Sequence, residues 1–266
     1  MLLIAALFTF SLSAYNPTDV VVTGHDIPKE LNSVGVEEHL GQNLDLSLNF
    51  TNDDGSVVPL GHFFHKNRPV LMAMVYYNCP SLCSYHLNGV TEVLKGLKWT
   101  TGAQFDVVAV SMDHSETADL AKAKKQSYVQ LYGRPEGEQG WHFLTGSKDN
   151  VQKLADQLGF KFNWLEDKKQ FAHAAVAYVV TPDGKISRYL HGIAPESATV
   201  KMSLIEASNG KVGSYVEQAL MFCFKFDPKK NKYTLYAWNL MQIGALSMVL
   251  LLAVFLLPVW WREQRR

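Results

Sequence analysis

The chain is poor in cysteine: its 266 residues contain three, Cys79, Cys83 and Cys223. Three thiols cannot build a disulfide scaffold, and a chain of this length can bury a core without one. Net charge is also missing, because 25 Lys and Arg balance 25 Asp and Glu. Without an excess of positive charge there is no field to gather phosphates, so nucleic acid is excluded as a partner. No internal repeat and no low-complexity tract occurs, which removes solenoids and long disordered linkers. The C-x-x-C spacing usual in dithiol oxidoreductases is absent as well.

What is present is 47% hydrophobic and 19% charged, a globular composition with a membrane contribution. The opening "MLLIAALFTFSLSAYNPTD" has no charge before Asp19. Its apolar run is too short for a bilayer and suits a signal-peptide core, although the usual basic n-region is lacking; a buried strand is the plainer alternative. At the other end "WNLMQIGALSMVLLLAVFLLPVWW", 238–261, carries no charged residue and has Trp238, Trp260 and Trp261 at its borders. As a helix it would reach roughly 36 Å, enough to cross a membrane with interfacial aromatics at its ends. Lysines before it and arginines after it leave the positive-inside count undecided. An exported leader decides instead for a folded body on the outer face and a cytoplasmic tail.

The expected organisation is a signal peptide over 1–18, a lead-in over 19–43, a folded domain over 44–222, a juxtamembrane segment over 223–237, a transmembrane helix over 238–261 and a tail over 262–266. Within the domain, "LDLSLNFTNDDGSVVPLGHFF" alternates about a "DDG" turn and predicts a hairpin. "PVLMAMVYYN" and "FDVVAVSMD" are apolar runs suited to strands buried on both faces. Helical spacing follows each, and a third helix runs between a Ser147 cap and a Gly159 stop. A second hairpin turns at Pro182, Asp183 and Gly184, and a closing helix follows. This order is α/β and is the one that a thioredoxin-like fold requires: a central mixed sheet flanked by helices.

Cys79 and Cys83 stand four apart in "VYYNCPSLCSYH", between the first buried strand and its helix. There the unpaired N–H groups and the helix dipole favour negative sulfur. On the first helical turn their Cα atoms would lie roughly 6 Å apart, within reach of a disulfide and of one shared metal. Three uses stay open: a structural disulfide, which would stabilise little across so short a loop, a redox pair, and a metal clamp. Two thiolates select a soft or borderline ion, Cu(I), Cu(II) or zinc, and copper is satisfied by two sulfurs and an imidazole. Among nine histidines, His86 is nearest in sequence but lies down the helix from Cys79. His173 stands just before a strand predicted beside the first, where its loop could face the thiols. A lone histidine in either place is equally an ordinary surface or core residue.

The segments "VYYNCPSLC", "VVAVSMDHSET" and "FAHAAVAYVVTPDGKISRYL" resemble the Sco/SenC family of thioredoxin-like copper proteins. The likeness extends from about residue 44 to 261 and includes a bacterial branch with a C-terminal membrane helix. It implies copper held by Cys79, Cys83 and His173, on a chaperone rather than an enzyme in the turnover sense. The partners it implies are subunit II of cytochrome c oxidase, whose dinuclear copper site is prepared, together with a thiol reductant and a copper donor. The setting it implies is the outer face of a bacterial cytoplasmic membrane. The alternative is an exported thiol–disulfide reductase using Cys79 and Cys83, for which His173 would be dispensable. A peroxidase of the peroxiredoxin kind is disfavoured, because Tyr76 stands where those enzymes have threonine. Asp113 falls at the family's S-x-D position, with a helix cap as its plain reading, and His114 stands where proline is common. Cys223 reads as a small buried apolar residue, and "HFFH", 62–65, as a solvated turn with an apolar centre.

Overall fold

The computed structural model describes residues 34–64, 66–79, 82–209, 221, 224–227 and 229–264, without the side chains at 82, 83, 237, 238, 240, 243 and 257–264. The expected leader, His65, Pro80, Cys223 and the end of the tail therefore lie outside the described residues, as do the side chains of Cys83 and of Trp238, Trp260 and Trp261.

The lead-in ends in a short strand, β1 (Gly35–Val36), followed by the expected hairpin, β2 (Asn49–Thr51) and β3 (Val57–Pro59). A 3-10 turn over Leu60–Phe63 exposes His62 and buries Phe63 and Phe64, which matches the solvated turn with an apolar centre. Next come β4 (Val70–Val75), α1 (Leu82–Gly96), β5 (Asp106–Ser111), α2 (Ala118–Tyr132) and β6 (Trp141–Leu144). They are followed by α3 (Lys148–Gln157), β7 (Phe160–Lys161), β8 (Asn163–Leu165), β9 (Gln170–Ala172), β10 (Val176–Val180), β11 (Ile186–His191) and α4 (Ser197–Ala207). The chain closes with a hairpin, β12 (Phe224–Asp227) and β13 (Lys232–Leu235), and a 28-residue helix, α5 (Ala237–Gln264).

The central sheet has five strands in the order β11-β10-β4-β5-β6, parallel from β4 to β6 and antiparallel on the β10 side. Every residue of β4, β5 and β10 is buried. An apolar side chain so placed contributes about 1.5–3 kcal/mol of burial energy as an upper estimate. The strands read as continuous apolar runs because helices and loops cover both faces. Asp106, at the start of β5, is the charged residue of these strands: it is 0% exposed and accepts from Arg68 Nε at 2.8 Å and Nη2 at 3.0 Å.

Helix ends follow local chemistry. Ser147 Oγ accepts from Asn150 N at the start of α3, and Gly159, at φ +61°, follows its last turn. For α2 the cap is Thr117, which accepts from Leu120 N. This corrects the reading of Asp113 as a cap: its Oδ1 instead accepts from Ser115 N at 2.9 Å and Ser115 Oγ at 2.6 Å, a turn ahead of the helix.

The expected juxtamembrane segment contains the β12–β13 hairpin, and that hairpin is fastened to the domain. Arg188 Nη2 donates to Glu206 Oε1 at 2.6 Å, Tyr233 donates to Glu206 Oε2, and the Arg188 guanidinium lies 5.0 Å from the Phe226 ring centre. Asn231 Nδ2 donates to His191 O at 3.2 Å. α5 takes up the segment expected to span a membrane and exposes Leu246, Leu250, Val254 and Phe255 among other apolar side chains. Among the described residues, which leave out the side chains at 237, 238, 240, 243 and 257–264 of α5, no helix is long and apolar enough to cross a membrane.

Candidate metal centre

β4 ends at Val75, and Tyr76, Tyr77 and Asn78 carry the chain on to Cys79, ahead of α1. Cys83 lies in the first described turn of α1, and Cys79 stands in non-helical backbone before it; Pro80 and Ser81 between them lie outside the described residues. Cys79 is 7% exposed; its N–H donates to Tyr76 O at 3.3 Å and its carbonyl accepts from Ser84 Oγ at 3.1 Å.

His173 lies between β9 and β10. β10 runs antiparallel to β4 with Ala177 opposite Ala73, and continuing that register past both strand ends sets His173 opposite Tyr77. The fold thus brings His173 to the end of the sheet where Cys79 leaves it. The ring sits edge-on to Tyr76 with centroids 6.3 Å apart, 6.1 Å from the Phe160 centroid, and the residue is 8% exposed. Its Nδ1 is 2.9 Å from Ala174 O. A carbonyl can only accept, so Nδ1 carries the proton and the lone pair of the neutral ring falls on Nε2. Metal-binding histidines usually have this pairing, in which the second nitrogen donates to a carbonyl or carboxylate. Burial holds the His173 pKa below the ordinary 6.5, which keeps the ring neutral near pH 7.

His86 is buried beneath α1 rather than exposed along it. Its Nδ1 meets Gly192 O at 3.1 Å, and its Nε2 is enclosed with no hydrogen-bond partner among the described residues. Burial first, and then the proximity of His173, hold its pKa down. α1 comes very close to the loop after β11 here, because a Cβ on Gly89 would lie 2.4 Å from Ile193 O. Among the described side chains, which do not include that of Cys83, no three His, Cys, Asp or Glu groups converge on one point.

Two supports of the thiol loop escape a reading by spacing. Glu116, 7% exposed, accepts from Tyr77 N at 2.8 Å, Asn78 N at 2.7 Å and Ser111 Oγ at 2.6 Å. The Tyr77 hydroxyl, buried among the strands, lies 2.8 Å from Leu144 O and 3.0 Å from Ala109 O, and burial pushes its pKa well up. An aromatic run flanks the loop on its other side: Tyr76 meets Phe171 at 5.3 Å, and Phe171 meets the half-exposed Trp164 at 4.9 Å. These two rings, with Phe162, Met112 and the Asp113–Ser115 turn, wall a cavity of about 370 Å³.

The donor set fits a soft or borderline cation. A buried sulfur and a neutral imidazole with a fixed tautomer sit at neighbouring strand ends, and a second cysteine opens the adjoining helix.

Comparison with known proteins agrees with this architecture. A Bacillus subtilis (strain 168) protein described as a SCO1 protein homolog is 29% identical over 147 residues, 54% of this chain and 72% of its own. The crystal structure of an Aquifex aeolicus VF5 protein matches with a TM-score of 0.56 at 21% identity, covering 66% of this chain and 98% of that one. A SCO1/SenC family lipoprotein from Bacillus anthracis str. Ames matches with a TM-score of 0.51 at 19% identity, covering 65% and 99%. At such identities the solved structures speak to the fold alone. A match to the SCO1/SenC family profile runs from residue 37 to 205, well over half the chain and across Cys79, Cys83 and His173, and the chain belongs to the SCO1/SenC family.

Proposed function

We propose that the protein is a copper chaperone, binding copper through the sulfurs of Cys79 and Cys83 and Nε2 of His173. Its cargo is destined for the dinuclear copper site of cytochrome c oxidase subunit II. The observation that carries this reading is the meeting of β4 and β10, which sets a neutral, carbonyl-anchored imidazole beside the segment that leads to the first thiol.

Each residue has a separate task. Cys79 and Cys83 supply negative sulfur and compensate the cation's charge. His173 supplies a neutral nitrogen, and its Nδ1–H···O bond fixes the tautomer whose lone pair is on Nε2. Three ligands leave the cation undersaturated, so a partner offering more ligands can remove it. A disulfide between the two cysteines would have no thiolate to offer. An exported copy therefore needs a dithiol reductant, which transfers two electrons and two protons and leaves as a disulfide itself. The same reading places α5 across a bacterial cytoplasmic membrane, with the folded domain on the outer face. Its support is the charge-free, mostly apolar stretch over 238–261 in a 28-residue helix.

The test is a Cu(I) titration of the reduced full-length chain in detergent against a competing chelator. Wild type should bind one equivalent, and His173→Ala and Cys83→Ser should each weaken binding by about tenfold or more. A His173→Ala variant with unchanged affinity would overturn the assignment. If it also kept full capacity to reduce disulfides in an oxidase-subunit peptide, the thiol–disulfide reductase would take its place.

A further inference from the structure

We propose that Glu116 is the positioning residue of the thiol loop: its carboxylate fixes the backbone ahead of Cys79 and thereby sets how readily the Cys79–Cys83 pair changes state. Tyr77 N–H and Asn78 N–H lie beyond the last residue of β4, and each donates to a different oxygen of this one carboxylate, at 2.8 and 2.7 Å. Ser111 Oγ holds the carboxylate from behind at 2.6 Å and itself accepts from Asp113 N at 3.0 Å. The clamp therefore ties together the ends of two neighbouring parallel strands, β4 and β5.

The restraint is strong in both directions. Glu116 is 7% exposed, and among the described residues no Lys or Arg pairs with it. A buried carboxylate satisfied by two amides and a hydroxyl depends on those donors staying in place, and a displaced loop would leave a charge without compensation. The next residue after Asn78 is Cys79, so the backbone that carries its sulfur starts within one peptide unit of the clamp. Tyr77 fixes the loop at its other side through the carbonyls of β5 and β6. With the loop pinned, closing a disulfide or gathering a cation has to be accomplished by movement on the Cys83 side.

Glu116→Gln replaces one acceptor oxygen by an amide that faces a backbone N–H, donor against donor, while leaving size unchanged. The inference rests on the reading of Cys79 and Cys83 as the working pair, and its first measurement needs no metal. The metal-free full-length chain in detergent is equilibrated with glutathione redox buffers, and the fraction of Cys79–Cys83 disulfide is read by thiol labelling and mass. Glu116→Gln should move the equilibrium constant by about tenfold or more. Ser147→Ala, which removes a helix cap that is bonded to no member of the clamp, should lose comparable thermal stability yet leave the constant within about twofold of wild type. Ser111→Ala, which keeps both loop bonds and frees the carboxylate behind, should shift it in the same direction as Glu116→Gln but less, and it carries the test if Glu116→Gln does not fold.

A Glu116→Gln or Ser111→Ala variant that loses stability but keeps the wild-type constant would overturn the proposal. The same proteins titrated with Cu(I) separate the two readings. A shifted disulfide equilibrium in a protein that binds no copper leaves the positioning role standing and removes the copper reading. Copper binding that depends on His173 but is indifferent to Glu116, with an unshifted equilibrium, does the reverse.

Discussion

Acid should destabilise this domain as pH falls below 6.5, and His142 gives the effect its size. The residue lies within β6, with its ring centroid 4.7 Å from that of Phe63 and its Nε2 enclosed without a hydrogen-bond partner among the described residues. Burial above all, and then the positive charges of Lys66 and Lys125, push its pKa down from 6.5 to about 3. Between those two values the unfolded chain holds a proton that the folded one does not, so stability rises with pH and is lost as pH falls below 6.5. At pH 4.5 the gap is two units, each worth about 1.4 kcal/mol, for a loss of about 2.7 kcal/mol from this residue. His86 and His173, also held low by burial, add to the loss with the same sign. The exposed carboxylates Glu37, Asp45 and Asp54, held below their ordinary values by hydrogen bonds from Lys161, Ser47 and Ser56, add to the loss with the same sign at its acid end, and equally in wild type and His142→Leu. Urea unfolding followed by tryptophan fluorescence at pH 7, 5.5 and 4.5 measures the loss, and His142→Leu removes the group responsible. The wild type should lose about 2–3 kcal/mol more than His142→Leu between pH 7 and pH 4.5. Equal losses in the two proteins would refute the assignment.

Three further substitutions have defined outcomes. Asp106→Asn leaves Arg68 facing a neutral amide in place of a fully buried carboxylate, and should cost about 3 kcal/mol. By calorimetry that is a fall in Tm of roughly 6–12 °C for a domain of this size. Gly159→Ala would set a Cβ 1.7 Å from Glu37 O at a residue with φ +61°, so β1 must leave β7. Hydrogen exchange should then show lost protection at Glu37, whose N–H donates to Gly159 O, together with a loss of about 2 kcal/mol or more. Gly89→Ala sets helix propensity, a gain of about 1 kcal/mol, against overpacking at Ile193 O, a cost of about 1–3 kcal/mol. A net loss in urea unfolding is expected, and a net gain would mean that the loop after β11 yields freely.

Local signals carried much of this fold. β4 and β5 are legible because a strand covered on both faces has no polar positions to alternate, and the second hairpin because Pro182, Asp183 and Gly184 suit a turn. β6 was not legible: four residues with a histidine inside carry no period, and only pairing with β5 makes them a strand. The same holds for β1 and β7, two residues each, which meet across a long stretch of sequence. The β8–β9 hairpin is secured by the contact between Trp164 and Phe171, whose spacing reads as neither helix nor strand. At the site, residue chemistry singled out the thiols, and the predicted neighbouring strand made His173 eligible. Glu116 stayed hidden because a carboxylate just ahead of a helix looks like any solvated helix entry until β4 and β5 end side by side. Asp113 drew attention for its position in the motif, yet its oxygen serves only its own turn.

The fastening of the β12–β13 hairpin has a mechanical consequence. Only Tyr236 separates the end of β13 from the start of α5, and the Lys225 ammonium rests 5.3 Å from its ring centre. The terminal helix is consequently joined to the hairpin by a bracket and not by a leash. On the proposed function, any exchange at the thiol end then takes place in the pose that this mount gives the body.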